Sequence, residues 1–288
     1  MKLNFTKAFL FTPGDQEKMI LKSLQRNDCA VIFDLEDSVI PSRKQTARDL
    51  LARLLPGEHA LKVRLIRINS PETVDFTTDM KLVEMIRPSG IMFPKATGTS
   101  AKIVEEALYQ IQSRTGWMVP VIPIIETAQG FEEINDVLNL LPSTPYAAFG
   151  GEDLATDLGI KRTAEGSEIE YARWRFIFSC RAHNVWPIDT VYVGLRDLEG
   201  LERETVHVRN MGMIAKGCIH PSHVEIINRS LTPSQEEVVA AKRIVEIASL
   251  PENQGNGSIS IDGKMVDIPV VKRAEEVLSR AGIPRVLV

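Results

Sequence analysis

Cysteine is scarce in this chain. Its 288 residues hold three, Cys29, Cys180 and Cys218, and no C-x-x-C pair. Scattered thiols exclude a disulfide framework and a structural zinc site, and they point to a reducing compartment. Long apolar runs are missing as well. Near the start only the four residues Ala8 to Phe11 form one, too few for the core of a secretory leader. No stretch approaches the ~20 apolar residues needed to cross a membrane. A cytoplasmic protein with no membrane partner is expected. Positive charge is not in excess: 34 Lys and Arg stand against 38 Asp and Glu, a formal charge of −4, which argues against nucleic acid as a partner. G-x-G-x-x-G and Walker patterns are absent. The first turn, TPGDQEK, has one glycine, so an open doubly wound sheet lacks the phosphate turn it would want.

What is present alternates. Apolar content of 44% and charged content of 25% are those of an ordinary globular chain, long enough for one large or two small domains. Short apolar runs at 8–12, 30–35, 61–68 and 90–94 read as strands. Helical patterns follow them: one opened by Asp15, then 43–55, 79–86 and 101–113. The segment 119–159 repeats the theme most clearly. VPVIPII ends in Glu126, FEEINDVLNLL places Phe131, Ile134, Val137, Leu138 and Leu141 on one helical face, and YAAFGGE ends in Asp153. An insertion at 154–166, a helix at 169–182, a strand at 186–192, a helix at 199–210 and a strand at 215–219 complete eight strand candidates. Eight strands alternating with helices predict a closed parallel (β/α)8 barrel, a TIM barrel, over residues 1–228. Residues 229–288 form an extension. A helix is expected from Thr232, with Gln235 completing a capping box. A hairpin turning at Asp262-Gly263 follows, then a helix at 271–281. Such an extension has to pack somewhere, and a neighbouring subunit is one solution.

In a barrel of this kind the chemistry sits at the carboxyl ends of the strands. Those ends read Thr12, Glu36 and Asp37, Arg67, Lys95, Glu126, Asp153, Asp189 and His220. Charge at half-buried positions is costly unless paired. Glu126 and Asp153 close neighbouring strands and would repel unless one is protonated or a cation lies between them. Mg²⁺ suits such a pair, because it typically takes one or two protein carboxylates and keeps other positions for water and substrate. Arg67 would meet a carboxylate or a developing oxyanion with its planar fork. Plainer roles stand beside these. Arg67 is also a candidate ion-pair partner of Asp37, Lys95 a solvated rim lysine or a Schiff-base former, His220 a turn residue, Asp189 an orienting group, and Thr12 a ligand donor or simply a strand end.

The motifs FTPGD, FDLEDSV, RIN, GIMFPK, IIET, AFGGEDL, PIDTVY, IHPS and KMVDIPVV occur in this order along nearly the whole chain. In this series the chain resembles the citrate lyase β-subunit-like family of acyl-CoA lyases, within the HpcH/HpaI aldolase group. The resemblance implies a barrel of the phosphoenolpyruvate/pyruvate type, trimeric or a multiple of that, using Mg²⁺. It implies cleavage of a 3-hydroxyacyl thioester such as citramalyl-CoA or malyl-CoA to acetyl-CoA and an oxo acid. By motif, Glu126 and Asp153 would hold the metal, Arg67 would stabilise the enolate oxygen, and Asp267 of KMVDIP would act on the enolate carbon in a neighbour's site. Asp37 joins Arg67 among the expected catalytic residues, and Thr12 and Lys95 among those expected to hold the CoA substrate. Alternatives are a citrate lyase β-subunit acting on citryl-ACP with an acyl carrier protein as partner, a Schiff-base aldolase at Lys95, and a non-catalytic CoA-binding subunit. The chain departs from the family pattern at Lys7, at MGMIAKG and at RWRFIFSCRAHN.

Overall fold

A computed structural model describes residues 6–55, 63–141, 144–253 and 257–283. The chain divides into two compact units at Asn228. In the first, eight strands close into a barrel: β1 Ala8–Pro13, β2 Ala30–Asp34, β3 Arg64–Arg67, β4 Gly90–Phe93, β5 Val121–Ile125, β6 Tyr146–Phe149, β7 Trp186–Asp189 and β8 Ala215–Cys218. Every neighbouring pair is parallel, and β1 pairs with both β2 and β8. Closure excludes the open doubly wound alternative. The TIM barrel expected from the alternation is the fold. Positions 61 and 62 of the expected third strand lie outside the described residues.

Because side chains alternate along a strand, each strand has one face in the barrel and one under the helices. The interior face carries Phe9, Ala30, Ile32, Leu65, Met92, Ile122, Ile124, Tyr146, Ala148, Ile188 and Ala215. Phe9 meets Tyr146 edge to face at 5.5 Å. The alternate positions, among them Leu10, Val31, Phe33, Ile66 and Ile91, are buried too. Coverage on both faces explains why the strands read as continuous apolar runs. Among the described residues, no helix is long and apolar enough to cross a membrane.

Two helical expectations change. Leu154 to Gly166 is not all loop. Gly151–Asp157 is a short helix, so Asp153 sits in a first helical turn rather than at a strand end. FEEINDVLNLL is broken at Glu133 into Ala128–Glu132 and Ile134–Leu140.

In the second unit, helix Gln235–Ala248 and helix Ile268–Arg280 share an apolar contact of Val238, Ala241, Val245, Ala274 and Leu278. Between them an antiparallel hairpin joins β9 Ser258–Ile261 to β10 Lys264–Asp267. Asp262 and Gly263 both have positive φ (51° and 74°), as a type I′ turn requires. The capping box lies two residues later than expected. Ser234 is the N-cap and Glu237, not Gln235, answers it, because only the carboxylate three residues on reaches back to the Ser234 amide (2.7 Å). The last helix starts three residues early, with Asp267 as N-cap (Val270 N to Asp267 Oδ1, 3.2 Å).

Candidate active site

Parity along the strands decides which strand-end residues meet. Phe9 and Phe11 face the interior, so Thr12 faces out, where its hydroxyl pairs with Ser23 Oγ of helix Glu17–Leu24 at 2.9 Å. Thr12 is buried under that helix and does not reach the mouth. On β2, Ala30 and Ile32 face inward, and the next inward position is Asp34. On β3, Val63 and Leu65 face inward, followed by Arg67. The two strands pair with Asp34 directly opposite Arg67. The result is a bidentate ion pair, with Nε donating to Oδ1 and Nη2 to Oδ2, both at 2.7 Å. Asp37, the expected partner, is exposed in the following turn. Asp34 lay hidden within AVIFDL; counting inward positions from Ile32 was the signal that finds it.

Asp34 is almost fully buried and also accepts the amides of Glu36 (2.9 Å) and Ser38 (3.2 Å). Burial alone would raise its pKa, but the charge and hydrogen bonds of Arg67 outweigh burial and hold it below the usual range. Arg67 Nη1 stands 2.9 Å from Glu36 Oε2, an ion contact whose alignment is too poor for a hydrogen bond. The guanidinium lies 5.1 Å over the Phe11 ring. Three neighbours therefore hold Arg67 in one plane.

The other inner groups follow from β4, β5 and β6. Glu126 is the inward position after Ile124 and is 2% exposed. Lys95, just past β4, has φ +51°, a left-handed conformation uncommon for lysine. In that conformation its amide donates to Glu126 Oε1 at 2.8 Å, and its ammonium reaches Glu36 Oε1 at 2.8 Å. Burial would lower the Lys95 pKa, but Glu36 raises it overall. A lysine kept as ammonium lacks the lone pair a Schiff base needs, so that alternative loses its support. Glu126 packs against Gly150, where a Cβ would stand 2.4 Å from Glu126 Oε2. Asp153 is half-buried in the helix that begins at Gly151.

The charges at this mouth do not balance. The carboxylates of Asp34, Glu36, Glu126 and Asp153 outnumber Arg67 and Lys95, the cations paired with Asp34 and Glu36, and Asp37 adds negative charge nearby. Glu126 shows the consequence. Burial first, then the charges of Asp153 and Glu36, push its pKa well above the usual range, and the Lys95 amide and Arg67 offset only part of this. Glu36 is raised as well, by burial and then by Asp37, against the pull of Arg67 and Lys95. One divalent cation on the oxygens of Glu126 and Asp153 would offset this excess of negative charge. Two carboxylates suit Mg²⁺, which keeps positions for water and substrate. Among the described residues, no group of three or more His, Cys, Asp or Glu forms a fuller cage. A cleft above these groups is lined by Phe11, Arg67, Glu126, Asp153, Thr190 and Val191, among others.

The remaining expected residues lie apart from these oxygens. Ile188 faces inward, so Asp189 faces the helices. There it accepts from Arg173 Nε (2.9 Å) and Lys216 Nζ (2.5 Å), all three side chains fully buried. Burial would raise its pKa, but Lys216 and Arg173 hold it below the usual range. Glu204 completes this neutral set at 2.6 Å from Lys216 and 3.2 Å from Arg173. Arg173 of RWRFIFSCRAHN and Lys216 of MGMIAKG thus contribute the cations of this internal ion network. His220 is exposed and pairs with Ser222 Oγ at 2.7 Å in its turn. Asp267 belongs to the second unit, as described.

Comparison with known proteins adds to this geometry. A family model described as HpcH/HpaI aldolase/citrate lyase matches residues 7–221, and one described as a C–C bond lyase of the TIM-barrel fold matches residues 181–284. The citrate lyase subunit beta of Haemophilus influenzae is 30% identical over 288 residues, covering 98% of both chains. The mitochondrial citramalyl-CoA lyase of Rattus norvegicus is 29% identical over 294 residues, covering 96% of this chain and 86% of that one. Among solved structures, protein CitE of Mycobacterium tuberculosis in complex with magnesium, acetoacetate and coenzyme A superposes with a TM-score of 0.81. It is 28% identical and covers 96% of this chain and 98% of its own.

Proposed function

Because this chain belongs to the HpcH/HpaI aldolase/citrate lyase family, we propose that it is a Mg²⁺-dependent carbon–carbon lyase. It cleaves a short 3-hydroxyacyl-CoA thioester of the citramalyl-CoA or malyl-CoA type to acetyl-CoA and an oxo acid. The observation that carries the reading is the unbalanced pair Glu126 and Asp153 beside a rigidly held Arg67 at one barrel mouth. Mg²⁺ held by Glu126 and Asp153 would supply Lewis acidity to substrate oxygens.

The chain's own residues do the remaining work. Arg67, immobilised by Asp34, Glu36 and Phe11, offers a preorganised cation to the thioester oxygen as charge develops there. Lys95 neutralises part of Glu36 and orients Glu126 through its amide. Asp267 of a second copy protonates the enolate carbon of acetyl-CoA; in the reverse direction it removes the methyl proton. That assignment rests on the KMVDIP match and on the fixed backbone of Asp267 at the hairpin–helix junction. A homotrimer, or a multiple of it, acting in the cytoplasm is part of the same proposal.

A second reading, the β-subunit of a citrate lyase acting on citryl-ACP, is favoured by the 30% identity to such a subunit along its whole length. A non-catalytic CoA-binding role is disfavoured, since binding alone needs no buried cluster of this cost.

The test is incubation of the purified protein with citramalyl-CoA, malyl-CoA or citryl-CoA, with Mg²⁺ or EDTA, and measurement of the oxo acid released. Pyruvate from citramalyl-CoA that disappears with EDTA is the expected result. Activity that survives EDTA refutes the metal site. Activity on none of the CoA thioesters, but on citryl-ACP, favours the second reading.

A further inference from the structure

The helix that carries Asp153 starts without a side-chain cap of its own. Its N-cap, Gly150, has no side chain to offer, and the first amides of a helix find no partner inside it. One is satisfied from another strand. Gly151 N donates to Thr190 Oγ1 at 2.9 Å, with both residues buried. The apolar side of the contact is equally close, since a Cβ at Gly151 would stand 3.0 Å from Thr190 Cγ2. Thr190 is itself anchored. Its carbonyl accepts from Lys216 Nζ at 2.9 Å, and that ammonium is held by Asp189 and Glu204. On the other side, Gly150 N donates at 3.0 Å to the carbonyl of Ile125, the residue before Glu126. The Gly150–Gly151 joint is therefore tied to β5, which delivers Glu126, and to the end of β7, which delivers Thr190.

We infer that Thr190 is a positioning residue for the metal site: its hydroxyl sets the start of the Asp153 helix so that Asp153 and Glu126 can share one divalent ion. The inference rests on the two-carboxylate metal reading above. It also gives the buried Arg173–Asp189–Lys216–Glu204 network a task, which is to hold the Thr190 backbone from below.

Mn²⁺, visible by electron paramagnetic resonance, is the probe. It is titrated into the full-length protein and its Thr190→Val, Thr190→Ala, Thr190→Ser and Glu126→Gln variants, with folding checked by circular dichroism. Valine keeps the branched shape and loses the acceptor, whereas serine keeps the acceptor. Alanine carries the test if valine does not fit beside Gly151. Partners that orient a metal ligand typically contribute about 10- to 100-fold in affinity. The valine and alanine variants are expected to weaken Mn²⁺ binding by about 10-fold or more, with serine close to the unaltered protein. In turnover, they need more Mg²⁺ for half-maximal rate and recover at saturating Mg²⁺. Unchanged Mn²⁺ affinity in valine and alanine variants, with loss only in Glu126→Gln, overturns the inference and leaves the metal reading standing. No Mn²⁺ binding by the unaltered protein, or binding undiminished in Glu126→Gln, overturns both.

Discussion

Adding a single methyl group at Gly150 is expected to disable the site. Gly150 has φ −100° and ψ 85°, on the side of the map open to L residues, so alanine there is a matter of space rather than of left-handed strain. The space is missing. The new Cβ would stand 2.4 Å from Glu126 Oε2 and 2.5 Å from Glu126 Cβ, against ordinary contact beginning at 3.4 Å. Relief requires a shift of about 1 Å, and because Glu126 Cβ is also struck, turning the carboxylate alone is not enough. Overpacking of this kind costs about 1–3 kcal/mol of stability. Misplacement of a reacting group by about 1 Å costs about 100-fold in rate, equivalent to about 2.7 kcal/mol of barrier. In Gly150→Ala the urea midpoint should fall modestly, Mn²⁺ binding should weaken sharply, and kcat/KM on the active thioester should drop about 100-fold or more. A variant with normal metal affinity and kcat/KM within a few-fold of the unaltered enzyme would refute the placement of Glu126 against Gly150.

Other substitutions separate the roles of neighbouring groups. Asp34→Asn breaks a buried charge pair and should cost about 3 kcal/mol by urea unfolding, whereas Asp37→Asn, at an exposed turn, should stay within about 0.5 kcal/mol; equal effects would contradict the pairing of Arg67. Since the native pKa of Asp34 lies below its unfolded value, its stabilisation is complete above the ordinary carboxylate range and is lost as pH falls through the lower native value. Stability of the unaltered protein should therefore fall more steeply with acid than that of Asp34→Asn. Thr12→Val removes the bond to Ser23 and should cost about 1–2 kcal/mol while leaving KM unchanged; a raised KM would return Thr12 to the binding site. Asp267→Asn keeps a good N-cap but removes the acid–base group, so turnover should fall at least about 100-fold with metal affinity and melting temperature preserved. Full activity in that variant excludes Asp267 from the chemistry.

The sequence by itself determined the architecture and several of the charged groups of the site. Eight apolar runs, too continuous for one-sided strands and regularly separated by amphipathic helices, admit few folds other than a closed parallel barrel. Residues at their ends included Arg67, Lys95, Glu126 and Asp153, because the carboxyl edge of such a barrel is where polar groups interrupt the runs. Pairings were not legible. Whether Thr12 or Phe11, Asp189 or Thr190 faces the interior depends on strand parity, which a run apolar on both faces conceals. Asp37 looked like the partner of Arg67 because it stands outside the strand, but the register places Asp34 opposite. The tight packing of Glu126 on Gly150 and the capping of Gly151 by Thr190 belong to the tertiary structure alone. They join residues 24 and 39 positions apart whose contact follows from barrel closure, and no local pattern in the chain records it.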